Sequence, residues 1–305
     1  MATRRPIRFG VQATGSTLED WQEFARKAED LGFSTLVVQD HFGPQLAPLP
    51  ALVAAAAVTK RLRLAAIVLN NDFRHPAAMA KEAATVDVVS GGRFEVGVGA
   101  GWLMPDYQKT GISFGPPAER FERLRETVRI LKAFFSGEPV TFKGKYYQIE
   151  GLDASPRTTQ QPHPPIMFGG RQKRMVSFAA READIVSISM LDRRAPGQPP
   201  PPRFAEKVGW ARAAAGERFP AIEIHANSQN FEVTDDRKSA LERIAARLQV
   251  TPEEAPLSPA VLVGSVDTIV EQALAWREEC NLTYFVIQRA VMDAAAPVIA
   301  RIEGK

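Results

Sequence analysis

At 305 residues, with 45% hydrophobic and 24% charged residues, the chain has ordinary globular composition and enough length to bury a core without staples. A net charge of +3 spread along the sequence argues against nucleic-acid binding, and the longest apolar run, Ala51 to Val58, falls far short of the ~18 residues a membrane span needs. The single cysteine, Cys280, excludes an internal disulfide; the basic start runs straight into a strand pattern without a signal-peptide core, so a cytoplasmic location is expected.

The apolar periodicity alternates short β-rich runs with longer amphipathic ones. Ile7–Ala13 reads as a strand. Thr17 caps a helix that puts Trp21, Phe24, Ala25, Ala28 and Leu31 on one face, with Gly32 as its stop. "STLVVQD" is the second strand and "LPALVAAAAVTK" the second helix. Leu62–Asn70 is the third strand, followed by a helix opened by Pro76 and closed by Gly91-Gly92. "RFEVGVGAG" is the fourth strand, and after an irregular segment comes the long helix "PAERFERLRETVRILKAFFSG". "PPIMFGG" and "DIVSISM" are strands with helices after them. "AIEIHANSQNFEV" reads as one strand, followed by "DRKSALERIAARLQ" and "SVDTIVEQALAWREEC" as helices. "LTYFVIQ" is the last strand and "DAAAPVIARIEG" the last helix.

Near-continuous apolar strands are buried on both faces, hence parallel. Eight strand–helix steps predict an α/β fold, a (β/α)8 TIM barrel formed as one domain over residues 1–305. Glu138–Gly151 alternates around Lys143-Gly144 and predicts an inserted hairpin. The proline-rich run Asp192–Arg203 predicts a long loop on the C-terminal face of the barrel.

In such a barrel the strand ends converge on one ligand site. The second strand ends in Asp40-His41, and the third offers Asn70, Asn71, Arg74 and His75. The fourth offers backbone at Gly97, Gly99 and Gly101, against which a flat ligand can lie. The fifth ends in Gly169-Gly170 before a helix starting Arg171-Gln172-Lys173-Arg174, a combination suited to phosphate. His41, with an intrinsic pKa of ~6.5, suits proton transfer. Alternation along a strand turns Asp40 away from His41, so Asp40 is expected to contact ligand rather than orient the imidazole. The four histidines, His41, His75, His163 and His225, lack metal-ligand spacing, and no G-x-S-x-G elbow occurs, so neither a metal site nor a serine hydrolase is expected.

Taken together, "SGGRFEVGVGAGW", "ERFERLRETVRILKAFFSGEPVTFKGKYY", "QPHPPIMFGG" and "AAREADIVSIS" resemble the luciferase-like monooxygenase superfamily. They are most similar to its branch of actinobacterial oxidoreductases that use coenzyme F420, a deazaflavin. The likeness runs from about Arg8 to the C-terminus. It implies a homodimeric barrel that holds a flavin-type ring at the C-terminal face and moves a hydride between F420 and a small organic substrate. Asp40 and His41 match the pair that contacts the ring, with the histidine handling the proton. The end of "AAIVLNN" matches a strand bulge with a non-proline cis peptide, expected at Ile67–Val68. Val68 then buttresses the ring and Asn70 contacts the cofactor. Ala100, Gly101, Gly169 and Gly170 match backbone positions near ring or phosphate, with Arg171 beside them.

The chain departs from relatives that oxidise sugar phosphates. They carry a carboxylate where this chain has Trp102, and an aromatic where it has Gln45. Trp102 is expected to wall a pocket for an apolar or planar substrate. The alternative is an FMN-dependent monooxygenase supplied with reduced flavin by a separate reductase.

Overall fold

Strands form where runs of β-branched and aromatic residues can be buried on both sides. The computed structural model describes residues 5–13, 17–190 and 202–303. The elements in chain order are β1 (Arg8–Gln12), α1 (Leu18–Asp30), β2 (Thr35–Val38), α2 (Pro48–Ala56), β3 (Arg63–Asn70), α3 (Pro76–Val89), β4 (Phe94–Gly99), α4 (Met104–Thr110), α5 (Pro117–Phe135), β5 (Val140–Lys143) and β6 (Gln148–Leu152). There follow β7 (Ile166–Gly170), α6 (Lys173–Glu182), β8 (Ile185–Ile188), α7 (Phe204–Ala215), β9 (Glu223–Asn227), β10 (Asn230–Val233), α8 (Arg237–Leu248), β11 (Val261–Gly264), α9 (Val266–Cys280), β12 (Leu282–Gln288) and α10 (Met292–Ile302).

Eight strands close into a barrel in the order β1-β12-β9-β8-β7-β4-β3-β2, the (β/α)8 architecture the alternation predicts. Its residues group into two compact units interleaved in sequence: 1–13, 28–35 and 169–305 in one, 14–27 and 36–168 in the other. In the first unit, Arg8 at the start of β1 is bound to Glu223 at the start of β9, with Nε–Oε1 at 2.9 Å and Nη2–Oε2 at 2.6 Å. Its guanidinium lies 3.6 Å over the Tyr284 ring. The second unit repeats the device at its own strand starts, where Arg63 Nε donates to Glu95 Oε1 at 2.5 Å.

Local signals act as their chemistry dictates. Thr17 Oγ1 accepts from Asp20 N at 3.2 Å to open α1, whose Trp21, Phe24, Ala25 and Ala28 are buried. Gly32, with φ +82°, ends it. The hairpin β5–β6 is antiparallel, as expected, and its tip is tied to α5. Glu126 accepts the N–H groups of Lys145, Tyr146 and Tyr147 at 2.7, 3.0 and 3.1 Å.

Three expectations are corrected. "AIEIHANSQNFEV" is two strands. Only β9 enters the barrel, while β10 pairs in parallel with β11 in a separate two-stranded sheet. The chain breaks at Ser228, whose hydroxyl donates to Pro259 O at 2.7 Å, and β10–β11 and α8 share a small core of Leu241, Ile244, Val261 and Val263. "VLVG", passed over in the sequence, is β11. The segment after β4 is not wholly irregular, since it contains α4, which ends at Gly111 with φ +72°. The loop expected over Asp192–Arg203 lies almost entirely outside the described residues.

Candidate active site

Strand ends of the second unit carry the densest set of chemistry-bearing side chains. The chain leaves β2 at Val38 and reaches Asp40 and His41 two and three residues later. His41 Nδ1 lies 2.7 Å from Asp106 Oδ2, and the other Asp106 oxygen accepts the N–H of Phe42 at 3.3 Å. Asp106 sits in the first turn of α4 and is buried. A carboxylate on Nδ1 selects the tautomer with its proton there, which leaves Nε2 as the nitrogen available to a ligand.

Asp40 has a different task. Its Oδ2 accepts from the backbone N–H of Asn70 at 2.8 Å and from Arg74 Nη1 at 2.6 Å, and Oδ1 accepts from Arg74 Nη2 at 3.3 Å. The carboxylate therefore ties the end of β2 to the end of β3. Asn70 is clamped further: its Oδ1 accepts from Asp72 N at 3.0 Å and its Nδ2 donates to Tyr107 Oη at 3.0 Å. Tyr107 Oη donates to Asp72 Oδ2 at 3.0 Å, and Arg123 closes the set with Nε to Asp72 Oδ1 at 2.9 Å. Burial, together with the nearby Asp72 charge, pushes the Tyr107 phenol up to about 12, so it remains a neutral donor. Tyr147 is brought to the end of β3 by the hairpin and is half-buried. Its hydroxyl accepts from Asn71 Nδ2 at 3.3 Å, and burial raises its pKa.

The Ile67–Val68 peptide is cis, at the position expected from the sequence. The β3–β4 register shifts between Ala66 and Leu69, so the backbone of Ile67 and Val68 leaves the regular ladder. The glycines of β4 take up this bulge. A Cβ at Gly97 would overlap Ala66 O, and one at Gly99 would meet a Val68 methyl. Their absence of side chains thus makes room for the neighbouring strand. Gly101 behaves likewise. With φ +73°, it leaves room for the Tyr107 hydroxyl, and its carbonyl accepts from Arg120 Nη1 at 2.8 Å. Ala100 joins β4 to that turn. Trp102 follows it, largely exposed, with its ring edge-on to the His41 imidazole at 5.8 Å.

In the other unit, Gly169 and Gly170 are the last two residues of β7 rather than part of a turn. A Cβ at Gly169 would overlap Ser187 O of the neighbouring β8, whereas at Gly170 it would meet only the flexible Met175 side chain at 3.1 Å. Arg171 is exposed in the step to α6, which begins at Lys173 after Gln172.

Asp106, Tyr107, Asp72 and Arg120 were missed among the candidate residues. A signal existed: Pro105 and Gly111 bracket α4 as the proline near a helix start and the glycine beyond its end do. Among the described residues no cluster suited to a metal ion occurs. What the second unit offers instead fits a planar redox ring: an apolar bulge at Val68, a rigid polar strand end at Asn70, and one free imidazole nitrogen.

The profile of the luciferase-like monooxygenase family matches residues 5–279. An F420-dependent glucose-6-phosphate dehydrogenase of Microbacterium testaceum (strain StLB037) is 32% identical over 189 residues, 59% of this chain and 55% of that one. An FMNH(2)-dependent dimethylsulfone monooxygenase of Pseudomonas putida is 32% identical over 131 residues, 43% of this chain and 36% of that one. The matches span about half the length, or less, of these curated relatives. The coenzyme F420-dependent tetrahydromethanopterin reductase of Methanopyrus kandleri superposes with a TM-score of 0.78 at 20% identity, over 98% of this chain and 100% of that one, a likeness of fold.

Proposed function

The chain belongs to the luciferase-like monooxygenase family, and from that premise we propose that it is a coenzyme F420-dependent oxidoreductase in which His41 is the proton partner of hydride transfer to or from an organic substrate. The observation that carries this reading is the 2.7 Å contact of Asp106 with His41 Nδ1, because it favours the proton on Nδ1 and so leaves Nε2 for a ligand. The bound deazaflavin supplies or accepts the hydride. Nε2 gives the proton to the substrate heteroatom in reduction and takes it in oxidation, and Asp106 stabilises the imidazolium in either direction. Val68 and Asn70 hold the ring, with Asp40 and Arg74 keeping Asn70 in place. Ala100 and Gly101 are assigned to the ring side; in the other unit, Gly169, Gly170 and Arg171 are a separate candidate for holding an anionic group. Trp102, edge-on to His41, is assigned to the wall of the substrate pocket. The F420-dependent relative supports this choice of cofactor.

A second reading, an FMN-dependent monooxygenase with a separate reductase, is favoured by the FMNH(2)-dependent relative. Paired titration of the protein with F420 and FMN, followed by tryptophan fluorescence, separates the two. Tighter binding of F420, weakened by Gly170→Leu, and anaerobic turnover support the first reading. Preference for FMN with oxygen consumption replaces it by the second.

A further inference from the structure

The surface beside His41 carries three exposed apolar side chains. Trp102, Phe42 and Met104 are 65%, 50% and 48% exposed. All three belong to the segments that hold the histidine. Trp102 meets its ring, the Phe42 N–H is bound to Asp106, and Met104 stands two residues before Asp106 at the start of α4. Of the three, Phe42 is anchored through a chain of ring contacts. Phe42 packs edge-on against Phe73 at 4.8 Å, Phe73 against Tyr107 at 5.5 Å and Tyr107 against Phe114 at 4.6 Å. The guanidinium of Arg120 lies 3.9 Å over Phe114 while bound to Gly101 O. Large exposed apolar side chains clustered around a candidate acid–base histidine are the mark of a surface that a ligand covers.

Charge in the same unit points the same way. Arg74 is neutralised by Asp40, Arg123 by Asp72, and Arg120 is only 8% exposed beneath the Gly101 carbonyl. A phosphorylated substrate needs cations that can turn to it, and these three are committed to the protein. We propose that the substrate is an uncharged, largely apolar carbonyl compound, with its reacting C=O or conjugated C=C set over His41 and its apolar body against Trp102, Phe42 and Met104. This assignment rests on the F420-dependent reading for its chemistry, but not for its binding surface.

The reaction balances with reduced deazaflavin as the named reductant. A new C–H bond forms at the electrophilic carbon from the donated hydride. The π pair moves to oxygen, directly or through the conjugated alkene, and the oxygen or its α-carbon takes the proton from His41 Nε2. The substrate gains two electrons and the deazaflavin loses two.

Isothermal titration of the cofactor-free protein with benzylideneacetone, and separately with a hexose phosphate, tests the surface without turnover. The expected result is saturable binding of the enone, weakened at least tenfold by Trp102→Ala and by Phe42→Ser, with no binding of the hexose phosphate. Circular dichroism spectra matching the parent confirm that both variants fold. Hexose phosphate binding as tight as the enone, or enone binding indifferent to both substitutions, overturns the proposal. So does sedimentation showing that a second copy of the chain buries Trp102. The cofactor reading fails separately, by preference for FMN, and that outcome leaves the binding result standing.

Discussion

Asp106 and His41, 65 residues apart in sequence, share a 2.7 Å contact at Nδ1 that leaves Nε2 to a ligand. Because the carboxylate holds both the ring and the Phe42 N–H, its removal acts on proton transfer more than on cofactor binding. Asp106→Asn is expected to lower the rate of the chemical step by about 100-fold, the range general acid–base catalysis supplies, while the F420 dissociation constant changes by less than about threefold. Single-turnover kinetics beside a binding titration measures both. An unchanged rate would remove Asp106 from the proton path.

The bulge of β3 depends on the bare backbone of β4. Gly97→Ala drives a Cβ into Ala66 O, and a backbone carbonyl in a paired strand has no room to retreat. A loss of about 3 kcal/mol or more is expected in urea denaturation. Gly43→Ala is the contrast: nothing lies within 4 Å of the added atom, and the change should stay within about 0.5 kcal/mol. Equal costs at the two positions would contradict this packing.

Periodicity made the barrel legible because buried parallel strands and amphipathic helices differ in period, and each of its eight strands carried that signal. It failed at "AIEIHANSQNFEV", where the polar stretch Asn227-Ser228-Gln229-Asn230 was read through as part of one strand although the chain changes sheets at Ser228. Asp40, His41 and Asn70 were visible as polar residues closing apolar strands. Their division of labour was not, because hydrogen bonding across 30 to 65 residues leaves no local trace. The glycines of β4 illustrate the same limit: the sequence showed that small residues stand there, and only the structure showed that Ala66 and Val68 of β3 fill the space.

The hairpin tip hangs on one carboxylate. Glu126 accepts three consecutive backbone N–H groups, and Gly144 has no Cβ that would strike it. Glu126→Ala should cost about 2 kcal/mol, with Glu126→Gln recovering part of it, since charge-assisted acceptors exceed neutral ones. Hydrogen exchange at residues 145–147 should accelerate in the alanine variant ahead of the barrel strands. Unchanged protection there would show that the tip is held by other contacts.

Tyr107 links the same region to pH. Its phenol is pushed from the ordinary 10.0 to about 12, chiefly by burial, with Asp72 adding to the effect. Below pH 10 the folded and unfolded chains both keep the proton, and the group contributes its full stability. Above it the unfolded chain releases the proton while the folded chain retains it, so stability falls by up to about 1.4 kcal/mol per pH unit until the folded phenol itself ionises. Tyr107→Phe abolishes this component at a cost of about 1 kcal/mol at neutral pH, where the hydroxyl's bonds to Asn70 and Asp72 are lost. Urea unfolding of both proteins at pH 8 and pH 11 should therefore show the wild-type advantage shrinking or reversing at the higher pH. A constant difference would mean that the hydroxyl ionises as freely in the folded protein as in the unfolded one.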